Sequence, residues 1–160
     1  METLKPKIGI TEGNSVEIAT ILNTLLADEY LLCTKTRNAQ WNIHGQSFNE
    51  LHKLFEIQYK ELDGIIDDIA VRVRILGHYA LGAMKDYLNI TRLNEPTHDF
   101  SNQKQIVQTL LDDHEEIIRI LRKEIIATSV QNKDFGTTDF VICILEIHEK
   151  MAWVLRSYLQ

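Results

Sequence analysis

The sequence predicts an all-α fold in which four long helices form a bundle and one short extra helix lies between the second and third. Apolar residues recur at spacings of three and four along four long stretches. Only two prolines and seven glycines interrupt the 160 residues, and no stretch shows the two-residue alternation of a strand. A chain of this length forms one domain with a substantial core.

The first long helix is predicted over residues 14–44, after a short N-terminal tail of residues 1–13. Asn14 is followed three positions later by Glu17, which is the spacing of an N-terminal cap, and Gly45 is expected to end the helix. Residues 14–160 then form a single bundle domain.

The second helix, predicted over residues 48–76, has the clearest signal. Ser47 and Glu50 have the spacing of a capping box, and Gly77 is a natural C-terminal stop. Its apolar steps alternate between three and four, so that one stripe faces the core along the whole helix. The stripe consists of Phe48, Leu51, Phe55, Tyr59, Leu62, Ile66, Ile69, Val73 and Leu76.

The remaining pattern completes the bundle. A short amphipathic piece is predicted at residues 80–89, and two more long helices at residues 102–129 and 138–159. A short element crossing between the second and third long helices is the connectivity of ferritin-like four-helix bundles.

Composition limits the classes of function. The 17 basic and 23 acidic residues give a net charge of −6, which argues against general attraction to nucleic acid and favours cations. No apolar run approaches the ~20 residues of a membrane span, so that a soluble, cytoplasmic protein is expected. Cys33 and Cys143 are far apart in helical patterns, and both are interpreted as reduced, small core residues.

A metal site within one chain is not expected. A bundle that holds two irons inside itself usually draws on Glu-x-x-His pairs from its helices. The chain has one such string, from Glu95 to His98, and Pro96 places it in a loop.

A different set of possible ligands lies on the second helix, where His52, Glu56, Asp63 and Asp67 share one edge of the buried face. At ~1.5 Å per residue, His52 and Asp67 are roughly 22 Å apart, so one chain cannot bring both to a single ion. Two copies packed antiparallel about a two-fold axis near residues 59 and 60 would bring His52 opposite Asp67. The alternative, a solvated acidic face with an incidental histidine, is favoured by spacing alone.

Several motifs closely resemble the Dps family of mini-ferritins, and they occur in the family's order over nearly the whole chain. They are Ala39-Gln40-Trp41-Asn42-Ile43-His44-Gly45, then Leu51-His52, then Ile66-Asp67-Asp68-Ile69-Ala70 with Arg72 and Gly77, and finally His148-Glu149-Lys150-Met151-Ala152-Trp153. The resemblance implies a hollow dodecamer that oxidises ferrous iron at two-fold interfaces, usually with hydrogen peroxide, and stores ferric mineral. Such proteins limit oxidative stress, and some bind DNA.

The resemblance also assigns the site. His52, Glu56 and the partner subunit's Asp67 match the family's ligands. Trp41 matches a tryptophan that intercepts radicals in the family, with a packing role as the alternative. Gln40 stands where the family has a histidine and Val71 where it has a glutamate. An amide oxygen is a weaker ligand than imidazole and valine is none, so the site loses one charge and one nitrogen donor.

Other residues carry weaker predictions. Asp63 and His44 are candidates to compensate for the two losses, because each lies one turn from a site residue. Asp139 and Asp134 match the region where the family lines its pores with acids, which would draw cations inward. His114 and His148 are expected on a solvated or hydrogen-bonded face, with an inner surface or a metal site as alternatives, and Trp153 is expected in the core.

Two hypotheses of different class remain. The first is an iron-sequestering ferroxidase that works through His52, Glu56 and Asp67, with help from Gln40. The second is a shell that has lost ferroxidase activity and serves as a metal store, a structural cage or a DNA-associated protein. Because the tail sets Lys5 and Lys7 against Glu2 and Glu12, DNA binding is expected to be weak or absent.

Overall fold

The computed structural model describes residues 5–95, 100 and 102–160, and every regular element in that part of the chain is a helix. The elements are α1 Glu12–Asn42, α2 Phe48–Ile75, α3 Met84–Ile90, α4 Gln103–Ile120, a π-helical turn Leu121–Ile125, α5 Ile126–Gln131 and α6 Phe135–Ser157. The segment from α4 through the π turn to α5 is continuous, so the bundle has four long helices and one short one. The predicted architecture is confirmed.

The long helices pack as two pairs, with α1 along α2 and α4 along α6, while the short α3 lies against α1. Buried apolar side chains from all four long helices form one core. Phe55, Leu62, Ile69 and Val73 of the predicted α2 stripe are completely buried. No helix in residues 5–95 or 102–160 is long and apolar enough to cross a bilayer.

Helix α1 begins earlier than predicted. Thr11 caps it, since its side chain accepts a hydrogen bond from the Asn14 N–H at 3.4 Å, and the prediction of Asn14 as the cap was wrong. Ser15, in the first turns of α1, is buried, and its hydroxyl donates to the Leu76 carbonyl at 2.9 Å. At the other end α1 stops at Asn42 and Ile43 is extended, so that Gly45, with φ +122°, lies in the following loop.

The two ends of α2 differ in how well they were predicted. The helix begins after Ser47 as expected, but the Ser47 side chain makes no capping hydrogen bond, and its N–H is directed at Gln103 Oε1 at 3.4 Å. Gly77 ends the helix with φ +89°, and the Gly77 N–H donates to the Arg74 carbonyl at 3.0 Å. A Cβ at Gly77 would lie 2.6 Å from Pro6 Cδ, so the glycine also lets the N-terminal segment pack closely.

Two predictions about core residues were wrong for this chain. Cys33 is buried as expected, but Cys143 is exposed on α6. Trp153, also on α6, is 63% exposed. Because α6 is apolar around most of its circumference, its pattern does not specify which residues face the bundle.

Candidate metal centre

The His52 side chain, on α2, contacts Gln40 of α1 through both of its ring nitrogens. Its Nδ1 is 2.8 Å from the Gln40 backbone oxygen, and its Nε2 is 3.0 Å from Gln40 Nε2. The Phe48 ring packs against the imidazole, with 5.1 Å between ring centroids. Helix geometry explains the arrangement, since Phe48 and His52 are one turn apart and share a face of α2.

The contacts define which ring nitrogen of His52 carries the proton. A carbonyl oxygen only accepts hydrogen bonds, so Nδ1 carries the proton and donates to Gln40. The Nε2 lone pair then faces the Gln40 amide nitrogen, which donates to it. A neutral imidazole fixed by a backbone carbonyl at one nitrogen is the form that binds a metal at the other.

Glu56 lies one turn after His52 and is half-buried. Its carboxylate pairs with Lys60, one turn further along α2. The hydrogen bond from Lys60 and the lysine's charge lower the pKa of Glu56 below its usual range. An ionised carboxylate therefore stands beside the imidazole, with an exposed ammonium as its present counterion.

Asp63 is engaged by two residues of α1. Arg37 Nη2 donates to Oδ2 of Asp63 at 2.5 Å, and the Cys33 thiol donates to Oδ1 at 3.3 Å. The guanidinium of Arg37 also stacks over the Tyr59 ring, 4.7 Å from its centroid. Both carboxylate oxygens of Asp63 thus already have partners, and the structure does not favour the predicted compensating role.

Asp67 has the opposite character. It is exposed on α2, and within residues 5–95, 100 and 102–160 its carboxylate has no hydrogen bond or ion pair. Val71, one turn later, is 55% exposed and supplies no donor atom. Trp41, next to Gln40, is 68% exposed. Asp67 is therefore a carboxylate on the exposed side of α2 that is unpaired within the part of the chain that the structure describes, with apolar side chains nearby.

The prediction that His44 compensates for Gln40 rested on both residues sharing a helix, and that premise was wrong. Helix α1 ends at Asn42, and His44 is exposed in the loop, where its Nδ1 lies 3.3 Å from the Asn42 carbonyl. No group of three or more His, Cys, Asp or Glu side chains gathers closely enough to hold a metal ion within the described residues. The end of the Glu95 to His98 string lies outside those residues.

The two candidate pore acids have different environments. Asp139 is exposed on α6 and remains a candidate. Asp134 is buried and is the N-cap of α6. Its Oδ1 accepts hydrogen bonds from the Thr137 N–H at 2.9 Å and from Nη2 of Arg72 at 2.8 Å. A Cβ at Gly136 would lie 2.9 Å from that guanidinium nitrogen. Asp134 thus anchors the start of α6, which contradicts its prediction as a pore residue.

His114 and His148 are not on a solvated face. Both are completely buried between α4 and α6, with Nδ1 atoms 2.9 Å apart, and His148 Nε2 lies 2.9 Å from a carboxylate oxygen of the fully buried Glu29 on α1. The sequence predicted a solvated or hydrogen-bonded face for these two histidines, and it did not identify their contact with each other or with Glu29. The sequence gives little indication that Glu29 is buried, because an acidic residue within a helical apolar run is usually exposed.

Comparisons with known proteins agree with this fold. The model of the ferritin-like domain family matches residues 19–160. The chain is 39% identical over 153 residues to a low temperature-induced protein of Nostoc sp., covering 96% of this chain and 86% of that one. It is 32% identical over 143 residues to the DNA protection during starvation protein 2 of Bacillus anthracis, covering 89% of this chain and 97% of the relative. The chain is a Dps-family mini-ferritin.

Solved structures support the same family. The Dps protein from Vibrio cholerae superposes on this mini-ferritin with a TM-score of 0.92 at 28% identity, covering 100% of this chain and 99% of that one. That protein is described as a member of the ferritin-like diiron-carboxylate superfamily. DpsC from Streptomyces coelicolor gives a TM-score of 0.92 at 27% identity, covering 96% and 89% of the two chains. Iron storage is the general function of this class, and iron is the metal that the family implies.

Proposed function

We propose that this mini-ferritin oxidises ferrous iron at sites shared between two subunits, uses hydrogen peroxide as the oxidant, and stores the ferric product in a dodecameric shell. The observation that carries the proposal is the state of His52. Its Nδ1 donates to the Gln40 carbonyl, with 2.8 Å between nitrogen and oxygen, so Nε2 is the nitrogen that can bind a metal beside the ionised Glu56 once the Gln40 amide turns away.

A shared site explains the free carboxylate on α2. Asp67 is roughly 22 Å along the helix from His52, so it serves a different ion from the one at its own chain's His52. Exposed Ile57, Val71 and Ile75 flank it on the same helix, and covering such side chains with a second copy is favourable. An antiparallel two-fold contact brings Asp67 of each subunit to His52 of the other.

The donor set suits ferrous iron but is incomplete. One imidazole nitrogen and two carboxylates are ligand types that bind iron in proteins. Gln40 directs its amide nitrogen at His52, so the amide must rotate before its oxygen can bind metal. Lys60 must also release Glu56. We therefore expect weaker iron binding than a site with the second histidine and the second acid would have.

The reaction follows the chemistry of its substrates. Hydrogen peroxide takes up two electrons when it is reduced to water, and two ferrous ions supply them as they become ferric. Glu56 and Asp67 offset the charge of the bound cation, and the exposed Asp139 is proposed to attract cations towards a pore. Trp41, which is largely exposed beside the site, is proposed to intercept radicals from side reactions.

Growth of ferric absorbance in the assembled protein tests the site. His52→Ala and Asp67→Asn are expected to slow oxidation at least tenfold. The matched controls are His44→Ala, an exposed imidazole in the next loop, and Asp68→Asn, the exposed carboxylate that follows Asp67. Equal rates for wild type, His52→Ala and Asp67→Asn would exclude these residues from the reaction.

The alternative is a shell without ferroxidase activity, which stores metal or serves as a structural or DNA-associated cage. The observations that favour it are Gln40 and Val71 at ligand positions and the cations Lys60 and Arg37 on two of the acids. Anaerobic titration with ferrous iron separates the two proposals. No stoichiometric binding, together with peroxide loss no faster than in buffer, would support the inactive shell.

DNA binding is proposed to be weak or absent. The two described lysines of the tail are Lys5 and Lys7, and Lys5 already pairs with Glu12. Few counterions can therefore be released from a duplex. A clear mobility shift with linear duplex at about 150 mM salt would contradict this expectation.

A further inference from the structure

The core of the bundle contains three ionisable side chains that the iron site does not use. Glu29 of α1, His114 of α4 and His148 of α6 each have 0% of their surface exposed. Ionisable groups are rarely buried without a compensating partner, because removing a charge from water is costly. Neighbouring members of this set are 2.9 Å apart, and the set connects three of the four long helices.

The contact distances limit where protons can be. With 2.9 Å between the Nδ1 atoms of His114 and His148, one nitrogen must donate and the other accept, so the contact holds a single proton. At its other nitrogen, His148 is 2.9 Å from Glu29 Oε1. A carboxylate only accepts, so a proton on that nitrogen would face the charge of Glu29, although the two atoms are not aligned for a full hydrogen bond. When His148 carries both of these protons and His114 carries one on its second nitrogen, the charge of His148 offsets that of Glu29 and the cluster is neutral overall.

We propose that Glu29, His148 and His114 form a proton-binding switch in the bundle core, in which uptake of one further proton by His114 forces α4 and α6 apart. A doubly protonated His114 would direct an N–H at the N–H of His148 across 2.9 Å, inside a region that excludes water. Two positive rings at that distance repel strongly when no solvent screens them. The second nitrogen of His114 has no hydrogen-bond partner in the described structure, so nothing there stabilises the added charge.

The other buried charges near the cluster are already paired. On α1, Asp28 binds Arg92, and Lys35 binds Asp113 of α4. Helix α2 contributes no charged residue to the buried set, since its only buried polar side chain is Gln58. On α6, His148 is the buried ionisable group, apart from the cap residue Asp134 that precedes the helix. The cluster therefore depends on its own three members.

Electrostatics supports the geometry. Burial lowers the pKa of His114 well below its usual value, and the charge of His148 lowers it further. An unfolded histidine binds its proton near pH ~6.5. Below that pH the unfolded chain holds one more proton than the folded chain. The contribution of His114 to stability is therefore fully present above the unfolded pKa and decreases as the pH drops towards the folded pKa of His114. Over this window the unfolding equilibrium constant rises about tenfold per pH unit because of this one group.

Denaturant unfolding of the assembled protein between pH 8 and pH 4.5, at one protein concentration, tests the switch. His114→Asn is expected to remove the one-proton slope below pH ~6.5, whereas His44→Asn, an exposed loop imidazole, is expected to retain it. Equal slopes in wild type and His114→Asn would overturn the proposal. So would a wild-type stability that does not change with pH over this range.

A second measurement keeps the test independent of folding of the variant. Deuterium exchange at the imidazole carbon, followed by mass spectrometry of peptides from wild-type protein, reports the protonation of individual histidines. We expect His114 to remain neutral well below the usual pKa of a histidine. A His114 that titrates at that usual pKa would refute the switch. Neither experiment requires iron, so their outcome is independent of the proposed ferroxidase activity.

Discussion

Asp134 offers a quantitative test of how α6 is anchored. The side chain is 3% exposed and serves two functions at once, as the N-cap of α6 and as the partner of Arg72 from α2. We consider the substitution Asp134→Ala. It removes the acceptor of the Thr137 N–H bond and also leaves the guanidinium without its carboxylate.

The expected loss can be worked from these contacts. Losing an N-cap side chain costs about 1 kcal/mol. Removing one partner of a fully buried ion pair costs about 3–5 kcal/mol, but Arg72 is 19% exposed and water reaches part of it, so about 2 kcal/mol is a reasonable value. The total is about 3 kcal/mol, or more than a hundredfold in the unfolding equilibrium constant.

The assay is denaturant unfolding at a fixed protein concentration, since assembly also contributes to apparent stability. Asp134→Asn keeps an oxygen for the Thr137 N–H but loses the charge, so it should cost less than Asp134→Ala. Asp139→Ala, an exposed acid on the next turn, should change stability by no more than about 0.5 kcal/mol. If Asp134→Ala is no worse than Asp139→Ala, the anchoring role is refuted.

Three further outcomes are expected. Gly77→Ala should lower the free energy of unfolding by more than about 1 kcal/mol and speed tryptic cleavage after Lys7, because a Cβ at φ +89° is strained and would meet Pro6. Gly82→Ala is the control, since its Cβ would meet nothing within 4 Å, and equal cleavage rates in the two variants would contradict the prediction. Alkylation of the native protein should modify the exposed Cys143 well before Cys33, because burial and Asp63 raise the pKa of Cys33 to about 12. Mass spectrometry of the peptides measures the two rates, and equal labelling of both cysteines would contradict the prediction. Phe55→Ala should cost about 3–5 kcal/mol and Phe55→Leu clearly less, as measured by denaturant unfolding, because Phe55 is completely buried.

The fold was predictable because helix-forming patterns are local. The α2 stripe repeats every three to four residues, and Gly77 is the residue best able to adopt the positive φ that ends the helix. The start of α1 was not predicted correctly, since Thr11 and Asn14 are both residue types that cap helices. In the structure Thr11 is the cap, and its side-chain oxygen accepts from the Asn14 N–H.

The candidate site was predicted in its residue types but not in its contacts. The sequence identifies His52, Glu56 and Asp67 as possible ligands, and these calls remain predictions. It gives no sign that Asp63 is held by Arg37, because that ion pair joins two residues on different helices that are 26 positions apart in sequence. The buried cluster of Glu29, His114 and His148 was not predictable for the same reason, since its members come together only when three helices pack.

The bond between His52 and Gln40 has a consequence for how this family can vary. The acceptor of the Nδ1 proton is the main-chain oxygen of Gln40, which is present whatever side chain occupies that position. Replacing the amide by imidazole, carboxylate or methyl therefore leaves the His52 tautomer unchanged. One ligand of the centre is set by the backbone, and its neighbour can change identity without disturbing it, so affinity for the metal can be altered one donor at a time.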